Sequence, residues 1–129
     1  MEKISFVNNP ELFSDLNSFV VHINNINSED ALFEKLYIKL IFPDYFGFNW
    51  VALYDCLRDF NWVSQRKIII IHDDLPKIER HSLKTYINIL IDAMNDWKEG
   101  EEHSLDIIFP KRYEQEIASL LKDNENKLL

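Results

Sequence analysis

The chain has 129 residues, of which 47% are hydrophobic and 13% aromatic, enough to build one folded domain around a single core. Its formal net charge is −8, which disfavours direct binding to nucleic acid or to anionic membranes and favours basic partners. The single cysteine, Cys56, excludes an internal disulfide and a multi-cysteine zinc site. No run approaches the ~20 apolar residues of a membrane span, so we expect a cytoplasmic protein. Gly47 and Gly100 are the only glycines, so there is no Gly-rich phosphate-binding loop and no cofactor is expected.

The first third of the chain predicts two strands and a helix. A short strand is expected over residues 4–7, and the β-branched segment Phe19 to Ile23 favours a second strand. Ser28 has the side chain of a helix N-cap, and apolar residues recur at helical spacing from Leu32 to Ile41. Pro43 is expected to end this helix.

The remaining two thirds alternate between helices and strands. We predict helices over residues 50–60, 81–97 and 113–122, with strands at Lys67 to Ile71 and Leu105 to Phe109. The isoleucine run that follows Lys67 is typical of a strand covered on both faces. Helices between successive strands indicate an α/β protein with a small, mostly parallel sheet flanked by helices.

The most informative stretch is FPDYFGFNWVALYDCL, residues 42–57. It resembles the motif of the barstar family of ribonuclease inhibitors. That motif has Pro, an acidic residue, two aromatics, Gly, any residue and Asn, and then a helix that ends in Asp, Cys and Leu. The resemblance extends over roughly residues 19–109 and implies a barstar-like three-layer fold for one domain spanning residues 1–129. Residues 1–18 are then an N-terminal extension, and residues 110–129 a C-terminal helix and tail.

The resemblance also implies a function. Members of the family have no catalytic activity. They bind a nuclease with one helix and the loop before it, which cover the active site. By position, Asp55 would lie where the substrate phosphate binds, and a basic ribonuclease toxin would be held in a 1:1 complex. The expected partner contacts on the loop, the helix and the segment beyond it are Tyr45, Gly47, Phe48, Asn49, Val51, Tyr54, Asp55, Arg58, Phe60 and Trp62.

Two further acidic residues lie on the long helix predicted over residues 81–97. Asp92 and Asp96 are one turn apart and share a face. The family places peripheral acidic contacts on the equivalent helix, so both are candidate contacts. The alternative is an ordinary solvated helix face.

The sequence departs from the family at one important position. In the family, the residue four positions before the one equivalent to Asp55 is usually acidic, whereas here it is Val51. A partner with an apolar patch beside its phosphate site would suit this valine better. Val51 therefore favours the alternative of an immunity protein against a toxin that is not a ribonuclease. A regulatory binding module without a toxin partner is a separate alternative.

Two other groups have the side chains that catalysis or metal binding requires. His72, Asp73 and Asp74 follow a buried strand, where α/β proteins place active sites, and can in principle ligate a divalent cation. An ordinary polar loop gives the same pattern. Cys56 has no histidine nearby in the sequence to activate it, so we interpret it as an inert, partly buried thiol.

Overall fold

The computed structural model describes the backbone of residues 3–126 and the side chains of residues 3–122. Its helices and strands follow one another as β1 (Ser5–Val7), β2 (Phe19–Ile23), α1 (Glu29–Lys39), α2 (Trp50–Leu57), β3 (Lys67–His72), α3 (Arg80–Asp96), β4 (Ser104–Pro110) and α4 (Glu114–Asn126). Short 3-10 turns at Pro10–Leu12 and Lys111–Tyr113 precede β2 and α4. Residues 1–2 of the extension and 127–129 of the tail lie outside the described residues.

The four described strands form one parallel sheet in the order β1-β4-β3-β2. The predicted α/β class with a parallel sheet is therefore confirmed. β3 lies between two neighbours, and its residues from Ile68 to His72 are buried on both faces, as the isoleucine run predicts. No helix in the described part of the chain is long and apolar enough to cross a membrane.

The two faces of the sheet are covered differently. All four helices bury their apolar residues in one large core that includes Ile68, Ile70 and Ile107. On the opposite face, Ile69, Ile71 and Ile108 form a small cluster, covered by the N-terminal segment with its 3-10 turn. The third layer is thus thin. β1, which lies in the N-terminal extension, pairs with β4 and forms one edge of the sheet.

Two helices end earlier than the sequence predicts. α1 stops at Lys39, and Ile41 is exposed with a positive φ of 56°, so its predicted place in this helix is wrong. α2 stops at Leu57, whereas the apolar spacing predicts a helix up to Phe60. Phe60 has a φ of 50° and reaches the core from a loop. Both apolar periodicities therefore run past the true helix ends.

His72, at the end of β3, is completely buried. Its Nδ1 lies 3.0 Å from the carbonyl oxygen of Ile108 and its Nε2 2.7 Å from the hydroxyl of Tyr86. Since a carbonyl only accepts, Nδ1–H donates to it, and Nε2 accepts from Tyr86. The ring also stacks on Phe109 at 3.9 Å. Burial lowers the pKa of His72 from 6.5 to about 4, although the Ile108 carbonyl and the Asp73 carboxylate oppose the shift.

The free energy of unfolding is expected to fall as the pH drops from about 6.5 towards 4. In this range the unfolded chain protonates His72 and the folded chain does not, so protons favour the unfolded state. The full effect is about 3 kcal/mol, of which about 2 kcal/mol is lost by pH 5. Urea unfolding at about pH 7.5 and pH 5 measures this loss.

The matched control is the double variant His72→Phe, Tyr86→Phe, which removes both ends of the His72–Tyr86 hydrogen bond, although the Ile108 carbonyl loses the bond that it accepts from His72. Its free energy of unfolding is expected to depend much less on pH over the same range. An equal dependence in the wild type and the double variant would assign the effect to other groups.

Candidate functional site

The loop before α2 is held by the side chain of Asn49. Its Oδ1 accepts from the backbone N–H of Ala52 at 2.9 Å, which caps the helix, and its Nδ2 donates to the carbonyl of Gly47 at 3.2 Å. A Cβ on Gly47 would lie 3.1 Å from that Nδ2, so a larger residue would press on the cap. Asn49 and Gly47, both predicted as contacts, therefore shape the loop that precedes the helix.

α2 presents Asp55 and Val51 to solvent. The side chain of Asp55 is exposed and has no hydrogen-bond or ion-pair partner among the described residues. One turn earlier on the same face, Val51 is 73% exposed. The helix thus offers one unpaired carboxylate with an apolar neighbour.

Tyr45 stands in the loop before α2 and is bonded to the segment after it. Its hydroxyl donates to the carboxylate of Asp59, which also accepts from the backbone N–H of Asn61 at 3.3 Å. Desolvation and the bond to Asp59 raise the pKa of Tyr45 well above its usual range, so it remains a neutral phenol. The bond joins the loop before α2 to the segment after it, and Tyr45 is still more than half exposed.

Polar side chains link the C-terminal end of α2 to the C-terminal end of α3 and the residues that follow it. The hydroxyl of Tyr54 donates to Asp96, and this bond, together with desolvation, raises the pKa of the phenol. Arg58 lies over the ring of Trp97 at 4.2 Å, and its Nη2 is 3.8 Å from Glu101. Tyr54, Arg58 and Asp96 are each half-buried and already engaged within the protein.

The indole of Trp97 adds a further link by donating to the carbonyl of Leu57 at 2.8 Å. With the Tyr54–Asp96 bond, it holds α2 against α3 on the side away from the exposed face. Of the two acidic candidates on α3, only Asp92 is exposed. Its pKa is raised by desolvation and by the charge of Asp96. The two carboxylates expected to act together therefore differ in their availability to a partner.

Phe60 and Trp62 also differ in how much of their surface is exposed. Phe60 has no exposed surface, so its predicted contact with a partner is wrong for this conformation; its ring belongs to the core. Trp62 is half-buried, with its ring 5.6 Å from that of Phe60 and its Nε1 donating to the carbonyl of Leu40 at 2.9 Å. Of the two, only Trp62 can offer surface to a partner.

Phe48, one of the expected partner contacts, is partly exposed. Its ring is 47% exposed and packs on one side against Tyr37 and Phe46, with ring centroids 5.1 and 4.8 Å apart. Its backbone has a positive φ of 54°, a conformation that costs a non-glycine residue about 1–3 kcal/mol. The loop therefore presents a partly exposed aromatic ring just before α2.

The candidate metal residues are not gathered into one site. Both ring nitrogens of His72 are bonded within the core, and the carboxylate of Asp73 lies 2.8 Å from His22 and accepts from Asn24. Asp74 accepts from Tyr113. Among the described residues, no three His, Cys, Asp or Glu side chains are arranged to hold a metal ion.

Cys56 is fully buried, and burial raises the pKa of its thiol to about 11. The group therefore stays protonated at neutral pH and is a poor nucleophile. This geometry agrees with the interpretation of Cys56 as an inert thiol, although its burial is complete rather than partial.

The partners of the candidate residues were not foreseen from the sequence. Asp59 accepts from Tyr45, and Trp97 and Glu101 both contact Arg58, yet these partners lie up to 43 positions away along the chain. No sequence spacing reveals such pairs. The nearest signal is the position of Trp97 at the end of a predicted helix, where an indole can pack against a neighbouring element.

A family model described as barstar, the barnase inhibitor, matches residues 16–109. The match spans well over half of the chain and contains the loop, α2 and α3. The chain belongs to the barstar family. No curated protein is similar enough to the chain to count as a match. Members of the barstar family are inhibitors rather than enzymes, and their partners are ribonucleases.

Proposed function

We propose that this barstar-family protein inhibits a ribonuclease toxin by covering its active site in a 1:1 complex, with Asp55 in the place of the substrate phosphate. The observation that carries the proposal is the exposed carboxylate of Asp55, which has no partner among the described residues. It stands on a capped helix within the region that matches the family. The protein acts in the cytoplasm of the cell that makes the toxin and protects that cell's RNA.

Electrostatics support this function. A nuclease must stabilise a phosphate, so its active site collects arginine, lysine and histidine, and a rigid carboxylate competes for the same donors. The net charge of −8 attracts a basic partner at long range and speeds the encounter. The Asn49 cap and the contacts of Tyr54 and Trp97 hold α2 in place before binding, so little conformational entropy is lost in the complex.

The test is to isolate the partner with the tagged protein from the native organism and to assay the partner for RNA degradation. We expect a basic protein that degrades RNA and is fully inhibited at one molecule of inhibitor per enzyme. A mononucleotide phosphate should compete with the inhibitor, because both occupy the phosphate site. A partner without ribonuclease activity, or a ternary complex with the nucleotide, would contradict the proposal.

Val51 favours a second possibility for the target, namely a toxin other than barnase. An apolar side chain, 73% exposed, stands where the family has an acidic one. Substituting Val51→Asp is expected to strengthen binding to barnase by about tenfold or more, because it adds a carboxylate one turn from Asp55 that faces the same basic site. Binding to the native toxin should weaken. Calorimetry or inhibition of RNA cleavage measures both effects.

Val51→Asn is the matched control, since asparagine has the shape of aspartate without its charge. It should leave barnase binding close to that of the wild type. If Asn and Asp have the same effect, the charge at position 51 does not select the toxin, and the departure from the family has no role in specificity.

A further inference from the structure

A surface groove of about 460 Å³ lies between α1 and the loop before α2. Its lining combines three aromatic rings, one aliphatic side chain and two carboxylates: Phe33, Tyr37, Phe48, Ile38, Asp30 and Glu34. Apart from Phe48, none of these residues was expected to contact a partner. We call this feature the α1 groove.

The floor of the α1 groove is aromatic. The rings of Tyr37 and Phe48 lie 5.1 Å apart, and Phe33 below them packs on Trp50 at 4.6 Å. Phe48 packs on one side against Phe46 as well, and its ring stays 47% exposed towards the groove. The faces of such rings carry negative electrostatic potential and attract cations.

Carboxylates form one wall of the groove. Asp30 and Glu34 are one turn apart on α1, both are exposed, and neither has a hydrogen-bond or ion-pair partner among the described residues. Ile38 continues the same line by one further turn and is 60% exposed. The wall therefore changes from two negative charges to an apolar surface along its length.

We propose that the α1 groove binds a lysine or arginine side chain of the partner toxin that lies outside the toxin's catalytic centre. The aliphatic stem would pack along Ile38 and the aromatic rings, and the cationic head would lie between those rings and the carboxylates of Asp30 and Glu34. The inference rests on the proposed function. It extends the binding surface from Asp55 through Val51 and Phe48 onto α1.

The negative charge of the α1 groove and its position next to α2 favour a basic side chain of the partner as its occupant. The acidic wall and the net charge of −8 oppose nucleic acid and anionic lipid and favour a basic protein. Phe48 directly precedes Asn49, the cap of α2, so a partner seated on α2 also reaches the α1 groove. The groove thus adds a second point of attachment.

The test uses two groove variants, the double substitution Asp30→Asn, Glu34→Gln and the single substitution Phe48→Ala. Each should weaken the complex with the native ribonuclease by about 5- to 30-fold, and the double variant should also reduce the dependence of the association rate on salt. The charge-matched control is Glu102→Gln, Glu116→Gln, which removes two exposed carboxylates that have no partner among the described residues. It should change the affinity by less than about twofold.

N-acetyl-arginine amide provides a readout that does not depend on the toxin. Titrated into the isotopically labelled wild-type protein at millimolar concentrations, it should shift the NMR signals of Glu34 and Phe48 and have no such effect on the double groove variant. Melting temperatures of all variants check that each is folded.

The outcomes separate the two proposals. If the wild type inhibits the ribonuclease and the groove variants bind as the control does, the groove inference is wrong and the proposed function stands. If the wild type inhibits no ribonuclease, the proposed function fails, and the arginine amide titration alone decides whether the groove takes a cation. A wild-type dimer that Phe48→Ala dissociates would assign the groove to a second copy of the chain and overturn the inference.

Discussion

Replacing Asp55 by alanine is expected to weaken the complex with the native ribonuclease by about 2–5 kcal/mol, or roughly 30- to several-thousand-fold. The substitution leaves the cations of the nuclease buried in the interface without their partner. Nothing offsets this loss, because Asp55 makes no bond within the described part of the protein that alanine would release. Close charge pairs in the barnase–barstar complex itself couple by about 1.5–7 kcal/mol, a family range that does not come from this structure. Titration of RNA cleavage gives the affinity.

The control for Asp55→Ala is Asp92→Ala, which removes an exposed carboxylate from α3. Its effect should stay below about 1 kcal/mol, as for a peripheral charge. Asp96→Ala should also weaken binding far less than Asp55→Ala, because Asp96 is already bonded to Tyr54. Alanine is a good helix former, so Asp55→Ala should change the free energy of unfolding by no more than about 0.5 kcal/mol. If Asp55→Ala and Asp96→Ala cause equal losses of affinity, Asp55 is not the carboxylate that occupies the phosphate site.

The parts of the fold that depend on local chemistry were predictable from the sequence. Ser28 and Asn49 cap α1 and α2 as expected, because each is a short polar residue placed just before an apolar helical pattern. The isoleucines of β3 are buried on both faces because a central parallel strand requires apolar residues at every position. The family motif then predicts which exposed face of α2 contacts a partner.

The parts that depend on tertiary contacts were not predictable. Tyr45 and Asp59 are 14 positions apart, and Tyr54 and Asp96 are 42 apart. Only the packing of α2 against its neighbours brings these groups together. The acidic wall of the α1 groove is equally invisible in the sequence, where Asp30 and Glu34 read as a solvated helix face. The groove exists only because the Phe48 loop lies beside α1.

Phe60 shows how two sequence arguments can conflict at one position. Helical periodicity predicts that its ring is buried, whereas the resemblance to the family suggests a contact with the partner. The ring is buried, yet the helix that the periodicity requires ends three residues earlier, at Leu57. The chain turns through a positive φ at Phe60 to return the ring to the core. Apolar spacing thus identified the environment of this residue but not its backbone.

Phe60→Ala is therefore expected to lower the free energy of unfolding by about 3–5 kcal/mol, the usual cost of removing a buried phenylalanine ring. The ring has no exposed surface and lies 5.6 Å from Trp62 and 6.2 Å from His103, centroid to centroid. Alanine would leave a cavity beneath α2 that its neighbours only partly fill. Urea unfolding near neutral pH, where His72 stays neutral, measures the change.

Phe60→Leu separates the effect of volume from the effect of the ring, since leucine fills most of the space. It should cost less than Phe60→Ala, about 1–2 kcal/mol, and both variants should bind the ribonuclease within a few-fold of the wild type when folded. Unchanged stability together with a large loss of affinity would show that Phe60 leaves the core to meet the partner. In that case the segment after α2 would have to rearrange on binding, and the binding surface would include a ring that the free protein keeps buried.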